Sequence, residues 1–339
     1  MLFTMKEAMY YKKLTNNKVK CLLCPHNCLL IENRKGLCQV RKNIGGKLYS
    51  LYYGQPCSIN IDPIEKKPLF HFLPGSKTLS ISTYGCNLFC LNCQNFEISK
   101  EFKDKELKEI TPEEIIDMAL KNKCKSISYT YTEPTIFYEY MLDIAKLAKK
   151  AKIKNIIVSN GFINEEPLKN LILYIDAANI DLKSFNESFY SKYCNAKLQP
   201  VLNTLKILKK SNIWLEITNL IIPELNDNLN DIEKMSKYIK EELGDIPIHF
   251  SRFYPYYKLD YIQETSIKTL KKASERAKKY LSYVYIGNIT TDKEENTYCP
   301  KCESLLVERH GYEVLKNDLK QSNKCPGCKK IIPGAWLIN

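Results

Sequence analysis

Three cysteines with the spacing Cys86-x3-Cys90-x2-Cys93 constrain this chain more than any other feature. They follow a short apolar run, residues 78–82, which is typical of a buried strand. A structural zinc site is usually closed by four ligands, and an ordinary iron-sulfur cluster takes four cysteines. Three thiolates without a fourth in the motif therefore favour a [4Fe-4S] cluster with one open iron.

An open iron offers a coordination site to a ligand from outside the protein. The amino and carboxylate groups of S-adenosyl-L-methionine can occupy that site, and a reduced cluster can pass an electron to the sulfonium. The spacing therefore predicts that the three cysteines bind a [4Fe-4S] cluster used with S-adenosyl-L-methionine. Structural zinc and buried thiols are the alternatives for this motif.

The composition is that of a folded chain with a basic surface. Of 339 residues, 44% are hydrophobic and 26% are charged, which excludes the disordered and fibrous classes. The net charge of +13 suits nucleic acid, an acidic substrate or an acidic partner protein. Because the lysines are spread through helical stretches, a solvated surface explains them more simply, and nucleic-acid binding is not favoured.

The N-terminal residues 1–15 lack the apolar core of a signal peptide. No run of about 18 apolar residues, the length that spans a bilayer, occurs in the sequence. We therefore expect a cytoplasmic protein without a membrane segment. In the cytosol thiols stay reduced, so the 14 cysteines indicate metal binding rather than disulfides.

The middle of the chain alternates short apolar runs with amphipathic stretches of helical length. The predicted strands are 78–82, 126–131, 155–159, 177–182, 213–219, 247–251 and 283–286. The predicted helices are one that begins at Thr111, then 135–150, 165–174, 198–210, 229–243 and 266–281. This alternation predicts an α/β fold, a partial (β/α)6-type barrel over residues 76–290. Polar residues follow the ends of the strands, where such barrels collect their chemistry.

Two further stretches of the barrel have a predicted role. The loop 252–257 is aromatic and basic, which makes it a candidate substrate contact, although ordinary packing and surface aromatic residues explain it more simply. Residues 100–108 are rich in Lys and Glu and predict a solvated loop. The remaining cysteines, Cys57, Cys124 and Cys194, are expected to be small buried side chains.

Each flank of the barrel carries a further set of four cysteines. The N-terminal segment, residues 1–75, contains Cys21, Cys24, Cys28 and Cys38, which suit zinc, an auxiliary iron-sulfur cluster or metal-free thiols. His26 among them is more simply a solvated loop residue than a ligand. The C-terminal residues 291–339 contain two Cys-x2-Cys pairs, Cys299 with Cys302 and Cys325 with Cys328. These four cysteines predict a small zinc-ribbon or rubredoxin-like lobe that binds a metal, zinc before iron.

Six stretches carry a resemblance to a known family. They are 21–28 (CLLCPHNC), 62–71 (DPIEKKPLFH), 129–134 (YTYTEP), 179–183 (NIDLK), 249–253 (HFSRF) and 296–302 (NTYCPKC). The core resembles radical SAM enzymes of the pyruvate formate-lyase activating enzyme type. Over nearly its full length the chain resembles the radical SAM member of the AmmeMemoRadiSam system, which is associated with Memo-like and AMMECR-type proteins.

The resemblance implies roles for residues at the mouth of the barrel. Glu133 takes the place of the acidic residue that contacts the amino group of S-adenosyl-L-methionine, and Lys183 pairs with its carboxylate. Asn160 and Asp181 are expected near the carboxylate or the ribose. A zwitterionic ligand needs such an acceptor and such a cation.

The function implied is that of a radical SAM enzyme. Its [4Fe-4S] cluster cleaves S-adenosyl-L-methionine to a 5'-deoxyadenosyl radical, which abstracts hydrogen from a substrate that the sequence does not identify. The expected partners are an electron donor of the flavodoxin or ferredoxin type and the Memo-like and AMMECR-type proteins. Activation of a glycyl-radical enzyme and modification of tRNA or another nucleic acid are the alternatives.

Overall fold

The computed structural model describes residues 5–103, 107–289 and 293–336. The strands in these ranges are β1 (Lys6–Glu7), β2 (Tyr11–Lys13), β3 (Val19–Cys21), β4 (Leu29–Leu30), β5 (Arg41–Ile44), β6 (Lys47–Ser50), β7 (Ser58–Pro63), β8 (Lys77–Ser82), β9 (Ser126–Tyr129), β10 (Lys154–Ser159), β11 (Ala177–Asp181), β12 (Trp214–Ile221), β13 (Ile248–Arg252), β14 (Val284–Gly287), β15 (Thr297–Tyr298), β16 (Leu305–His310) and β17 (Glu313–Asn317). The α-helices are α1 (Phe96–Ser99), α2 (Pro112–Lys121), α3 (Tyr138–Lys150), α4 (Glu165–Leu171), α5 (Glu187–Phe189), α6 (Leu198–Lys210), α7 (Leu229–Tyr238) and α8 (Ile267–Ala277).

The centre of the molecule is an eight-stranded sheet with the order β14-β13-β12-β11-β10-β9-β8-β7. Strands β8 to β14 are all parallel, and each consecutive pair is joined through at least one helix. Only β7 runs antiparallel, at the edge beside β8. The seven predicted strands and the partial (β/α)6-type barrel are therefore confirmed.

The parallel strands form because their sequences are apolar enough to be covered on both faces. All four residues of β9 are buried, as are five of the six in β8. The helices around them are amphipathic and begin at defined caps. Helix α2 has a full capping box, in which Thr111 accepts a hydrogen bond from the Glu114 amide and Glu114 accepts one from the Thr111 amide.

The cysteine-rich N-terminal segment is built from two small antiparallel sheets, β1-β6-β5 and β2-β3-β4. A buried ion pair between Arg41 and Glu139 joins this segment to helix α3 of the barrel. Residues 58–63, which lie inside the predicted N-terminal segment, form the edge strand β7 of the barrel sheet.

Residues 64–73 lie against the inner face of the barrel sheet, a position that the sequence did not predict. The amides of Phe70 and His71 donate to the carboxylate of Glu216 on β12, at 3.1 and 2.8 Å. The side-chain amide of Asn179 on β11 donates to the Pro68 carbonyl at 2.7 Å. These bonds to mid-strand side chains hold the segment inside the barrel.

The C-terminal lobe contains the three-stranded antiparallel sheet β15-β16-β17. One hydrophobic cluster joins the lobe to the barrel and to the segment inside it, and its largest members are Phe70, Tyr283, Tyr285 and Trp336. The predicted small lobe is therefore present. Across the three described ranges, every helix is too short or too polar to cross a membrane.

Gly85, just before the first cysteine of the central motif, has a φ of +95°. A Cβ there would lie 2.6 Å from the Cys38 carbonyl oxygen and 2.6 Å from a methyl group of Val40. A residue with a side chain in a left-handed backbone conformation costs about 1–2 kcal/mol. We expect Gly85→Ala to reduce the free energy of unfolding by clearly more than that, because the N-terminal segment must also move.

The matched control is Gly311→Ala, because Gly311 has a φ of +57° and open space around it. This control should lose only the backbone contribution, about 1–2 kcal/mol. Urea unfolding followed by circular dichroism measures both variants. An equal reduction of the free energy of unfolding in the two variants would show that the close contact between Gly85 and the N-terminal segment does not affect stability.

Candidate active site

A cavity of about 560 Å³ opens at the carboxyl ends of the parallel strands. Its wall includes all seven residues predicted to bind the central cluster and its ligand, namely Cys86, Cys90, Cys93, Glu133, Asn160, Asp181 and Lys183. Asn160 directly follows β10, and Asp181 is the last residue of β11. Because parallel strands end at the same edge of the sheet, residues far apart in sequence meet around this one cavity.

Hydrogen bonds fix the loop that carries the three cysteines. The sulfur of Cys86 accepts from the Leu88 amide at 3.4 Å and from the Asn160 side chain at 3.8 Å. The sulfur of Cys93 lies 3.1 Å from the hydroxyl oxygen of Ser99. The loop is therefore shaped by the protein itself.

Lys100 also holds this loop, although the sequence predicted a solvated stretch there. Its ammonium donates to the Cys86 carbonyl at 2.8 Å and lies 4.0 Å from the ring centre of Phe89. Residues 104–106 of the same stretch lie outside the described residues. The composition of the stretch gave no signal for this contact, because it depends on the fold of the cysteine loop.

The chemistry of the three thiols suits a metal centre. Burial raises the pKa of Cys86 to about 12 and also raises the pKa of Cys93, so both free thiols are protonated at neutral pH. A cationic iron centre reverses this preference, because a coordinated thiol loses its proton. The three residues therefore fit a cluster bound through thiolates.

Cys194 lies directly behind the cysteine loop. Its carbonyl accepts from the Phe89 amide at 2.9 Å, and the neighbouring Tyr193 carbonyl accepts from the Leu91 amide at 3.1 Å. A hydrogen bond with Cys194, together with burial, raises the pKa of Cys90 well above its usual value. The expected burial of Cys194 is observed, but its contact with the motif is not visible in the sequence.

Cys124 is buried as expected, whereas Cys57 is half-buried. The sulfur of Cys57 lies 3.4 Å from the hydroxyl oxygen of Ser82.

Glu133 is a buried carboxylate with its two oxygens in different surroundings. Oε1 accepts from the Thr135 amide and hydroxyl at 3.0 and 2.6 Å and from the Ser159 hydroxyl at 2.7 Å. Oε2 accepts only from the Asn160 amide, at 2.8 Å, among the residues that the structure describes. Oε2 is therefore the oxygen that can accept a further bond from a ligand ammonium.

Lys183 and Asp181 form an ion pair on the cavity wall, with 2.9 Å between Nζ and Oδ2. Burial alone would lower the pKa of Lys183, but the Asp181 carboxylate and nearby thiols raise it well above its usual value. The lysine is thus a cation at neutral pH. Its side chain remains 21% exposed toward the cavity, so a ligand carboxylate can approach it.

A second charged group on the cavity wall was missed from the sequence. Lys67 lies 2.7 Å from the Asp62 carboxylate and 4.5 Å from the ring centre of Tyr131. Burial lowers the pKa of Lys67 to about 8. The stretch 62–71 carried part of the family resemblance, which was the only signal that these residues have a role.

The aromatic-basic loop 252–257 packs on neighbouring segments, the simpler of the two expectations for it. None of the loop residues 252–257 lines the cavity among the residues that the structure describes. Arg252 pairs with Glu264 and with the Thr265 carbonyl. The ring of Tyr257 stacks on that of Phe96, just after the cysteine loop, with 4.5 Å between the ring centres.

His249 reaches the cavity wall, but its Nε2 is bound to the buried Glu216 carboxylate at 2.6 Å.

The two flanking cysteine sets have different geometry. In the C-terminal lobe the four sulfurs all lie within 4.8 Å of one another, with Cys299 to Cys328 at 3.5 Å and Cys302 to Cys325 at 3.6 Å. The N-terminal cysteines, Cys21, Cys24, Cys28 and Cys38, line a small cavity of about 20 Å³. His26 beside them is half-buried and bonds the Asn87 carbonyl at 2.8 Å, so it is not a solvated residue.

The sequence matches proteins of known family. The radical SAM superfamily profile matches residues 80–239. An uncharacterised protein of Methanocaldococcus jannaschii is 47% identical over 334 residues, which cover 97% of this chain and 99% of that protein. The pyruvate formate-lyase-activating enzyme of Clostridium pasteurianum is 24% identical over 221 residues, which cover 61% of this chain and 91% of that enzyme.

The fold also has a solved counterpart. The structure of Streptococcus suis SuiB bound to its precursor peptide SuiA aligns with a TM-score of 0.51 and 15% identity, covering 66% of this chain and 51% of that one. At this identity the likeness shows the fold alone. The superfamily implies a [4Fe-4S] cluster and S-adenosyl-L-methionine, which the cysteine loop and cavity fit. This chain is therefore an enzyme of the radical SAM superfamily, with sequence similarity to pyruvate formate-lyase activating enzymes.

Proposed function

We propose that this enzyme binds its [4Fe-4S] cluster through Cys86, Cys90 and Cys93 and begins radical chemistry on a substrate in the adjoining cavity. The observation that supports this most is the meeting of the three thiols with Glu133, Asn160, Asp181 and Lys183 around one cavity of about 560 Å³. When bound, the cluster and S-adenosyl-L-methionine supply a 5'-deoxyadenosyl radical that abstracts a hydrogen atom from substrate.

The side chains on the wall orient the two ends of a zwitterionic ligand. Oε2 of Glu133 accepts from its ammonium, because three bonds already hold the other oxygen in place. Lys183 donates a hydrogen bond to the carboxylate of the ligand, in place of part of its interaction with Asp181. Asn160 is fixed by its own bonds to Asn87 and Phe162, so it presents a rigid surface to the ligand.

The substrate belongs, in our proposal, to the AmmeMemoRadiSam system. This is supported by the resemblance of six stretches spread from residue 21 to residue 302. Memo-like and AMMECR-type proteins are then the proposed partners, and a flavodoxin- or ferredoxin-type protein is the proposed electron donor. The 14 free thiols support a reducing compartment, and we place the protein in the cytoplasm.

A second candidate function is activation of a glycyl-radical enzyme. It is favoured by the similarity to the activating enzyme from Clostridium pasteurianum and to the 4-hydroxyphenylacetate decarboxylase activating enzyme of Clostridium scatologenes, 23% identical over 220 residues. A glycyl radical detected on a partner protein by electron paramagnetic resonance would select this function. Nucleic-acid modification has less support, because the aromatic-basic loop 252–257 is not among the described residues that line the cavity.

Zinc is the proposed metal of the C-terminal lobe. Four zinc-bound sulfurs at about 2.3 Å from the metal lie about 3.8 Å apart, close to the 3.5 and 3.6 Å observed. The lobe is small, so a bound metal would contribute much of its stability.

Cys90→Ala should abolish the formation of 5'-deoxyadenosine from S-adenosyl-L-methionine and dithionite, because the cluster loses one of three ligands. Iron content should fall while zinc stays unchanged. The control is Cys57→Ala, which removes a half-buried thiol outside the three cysteine sets. Anaerobic assay with metal analysis measures both. Formation of 5'-deoxyadenosine by Cys90→Ala, or none by the fully loaded wild type, would contradict the proposed function.

Lys183→Met should weaken binding of S-adenosyl-L-methionine by about 10- to 100-fold, since a charge-assisted bond contributes about 1.5–3 kcal/mol. The control is Lys192→Met, because Lys192 is exposed. Equilibrium dialysis against reconstituted protein of equal iron content measures the change. Unchanged affinity in Lys183→Met would show that this lysine does not bind the ligand carboxylate.

Cys302→Ala combined with Cys325→Ala should remove the zinc of the lobe and speed hydrogen exchange over residues 293–336. The barrel should keep its protection, because its sheet does not depend on the lobe's sulfurs. Zinc analysis and hydrogen-exchange mass spectrometry test this. A wild-type protein that contains no zinc after purification with zinc present would exclude the assignment.

A further inference from the structure

The four N-terminal cysteines have no part in the function proposed above. They line one small cavity of about 20 Å³, which is also lined by apolar residues such as Leu23 and Ile136. One water needs about 10–15 Å³ of such space, so side chains leave this volume unfilled. Four thiols around a buried space are the ligand set of either a zinc ion or an iron-sulfur cluster.

The spacing of the sulfurs separates these two metals. A single zinc ion brings four sulfurs to about 3.8 Å from one another, whereas a cluster places each sulfur on a separate iron atom and so holds them farther apart. Over the described ranges, the C-terminal set is the only group of three or more metal-binding side chains with all ligand atoms within 4.8 Å. The N-terminal sulfurs are more widely spread, as are those of the radical SAM motif.

A buried cation faces the same cavity. Arg41 lines it, is only 1% exposed, and uses one nitrogen, Nη2, to bind the Met9 carbonyl and Glu139. In the described part of the chain, its Nε and Nη1 have no hydrogen-bond partner. An unsatisfied buried donor costs about 1–3 kcal/mol, more when it is charged. An anionic cluster bound by four thiolates would supply acceptors for both nitrogens.

The cavity lies directly behind the loop of the radical SAM motif. Asn87 lines it, while the residues on either side, Cys86 and Leu88, line the large cavity. His26 bonds the Asn87 carbonyl at 2.8 Å, and the Gly85 backbone packs against the Cys38 carbonyl. One stretch of backbone therefore separates the two cysteine sets, and the two cavities share no lining residue among those that the structure describes.

We propose that Cys21, Cys24, Cys28 and Cys38 bind a second [4Fe-4S] cluster, which passes one electron to the cluster on Cys86, Cys90 and Cys93. In this step the N-terminal cluster is oxidised by one electron and the cluster on Cys86, Cys90 and Cys93 is reduced by one electron. A low-potential one-electron donor of the flavodoxin or ferredoxin type then reduces the second cluster again. The electron transfer rests on the proposed function, whereas the presence of the cluster does not.

Metal analysis of a variant without the radical SAM motif tests the second cluster by itself. After anaerobic reconstitution of Cys86→Ala/Cys90→Ala/Cys93→Ala with iron and sulfide, we expect about four irons and four sulfides per chain, with zinc near one. About two zinc ions per chain without iron would overturn the proposal of a second cluster. So would the absence of any metal besides the C-terminal zinc.

The reciprocal variant, Cys28→Ser/Cys38→Ser, should lose about half of the wild-type iron while it keeps the C-terminal zinc. Cys57→Ser is its matched control and should keep all of the iron. Circular dichroism shows whether each variant is folded. A folded reciprocal variant with the full wild-type iron content would also overturn the proposal.

Electron counting tests the transfer. Protein is reduced with dithionite, freed of reductant, and mixed with excess S-adenosyl-L-methionine. Wild type should give about two molecules of 5'-deoxyadenosine per chain and Cys28→Ser/Cys38→Ser about one, since each cluster stores one electron. If wild-type protein that carries both clusters forms only about one molecule of 5'-deoxyadenosine per chain, the proposed electron transfer between the clusters is wrong. None from either protein would overturn the proposed function instead, while the iron count still decides the second cluster.

Discussion

The parallel order of the barrel sheet is the constraint on which the site depends. Seven consecutive strands, β8 to β14, run the same way, so their carboxyl ends and the loops after them meet at one edge. Cys86, Glu133, Asn160 and Lys183 come from four different crossovers and have no local reason to be near one another. Burial of the apolar strands on both faces makes this sheet rigid, and the cavity takes its shape from it.

Buried polar groups then fix what the sheet brings together. Glu133 is held by four donors, and Glu216 is held by the segment inside the barrel and by His249. Burial alone would raise the pKa of Glu216, but the hydrogen bond to His249 and the electrostatic interaction with that ring lower it, which favours the ionised carboxylate. Such hydrogen-bonded carboxylates act as rigid anchors, since an unpaired buried charge is strongly destabilising. The protein therefore presents a preorganised wall to its ligand.

The sequence predicted this fold well where local pattern determines structure. Apolar runs and the capping box at Thr111 located the strands and helix α2, and cysteine spacing located three sets of thiols. It failed where a contact joins distant segments: Lys100 on the cysteine loop, Cys194 behind it, and residues 64–73 inside the barrel. Aromatic and basic composition does not tell which way a loop faces, and none of residues 252–257 is among the described residues that line the cavity. Spacing alone also left the metal of the N-terminal cysteines open, whereas the separation of their sulfurs and the buried Arg41 support the proposed cluster over zinc.

The central claim is that the three-cysteine cluster keeps one iron open for the amino and carboxylate groups of S-adenosyl-L-methionine. Electron-nuclear double resonance on the reduced enzyme tests it most directly, with S-adenosyl-L-methionine labelled with ¹⁵N at its amino group. The account predicts a nitrogen hyperfine coupling to the cluster that disappears in Cys90→Ala. A fully loaded, reduced cluster that shows no such coupling with saturating ligand would contradict it.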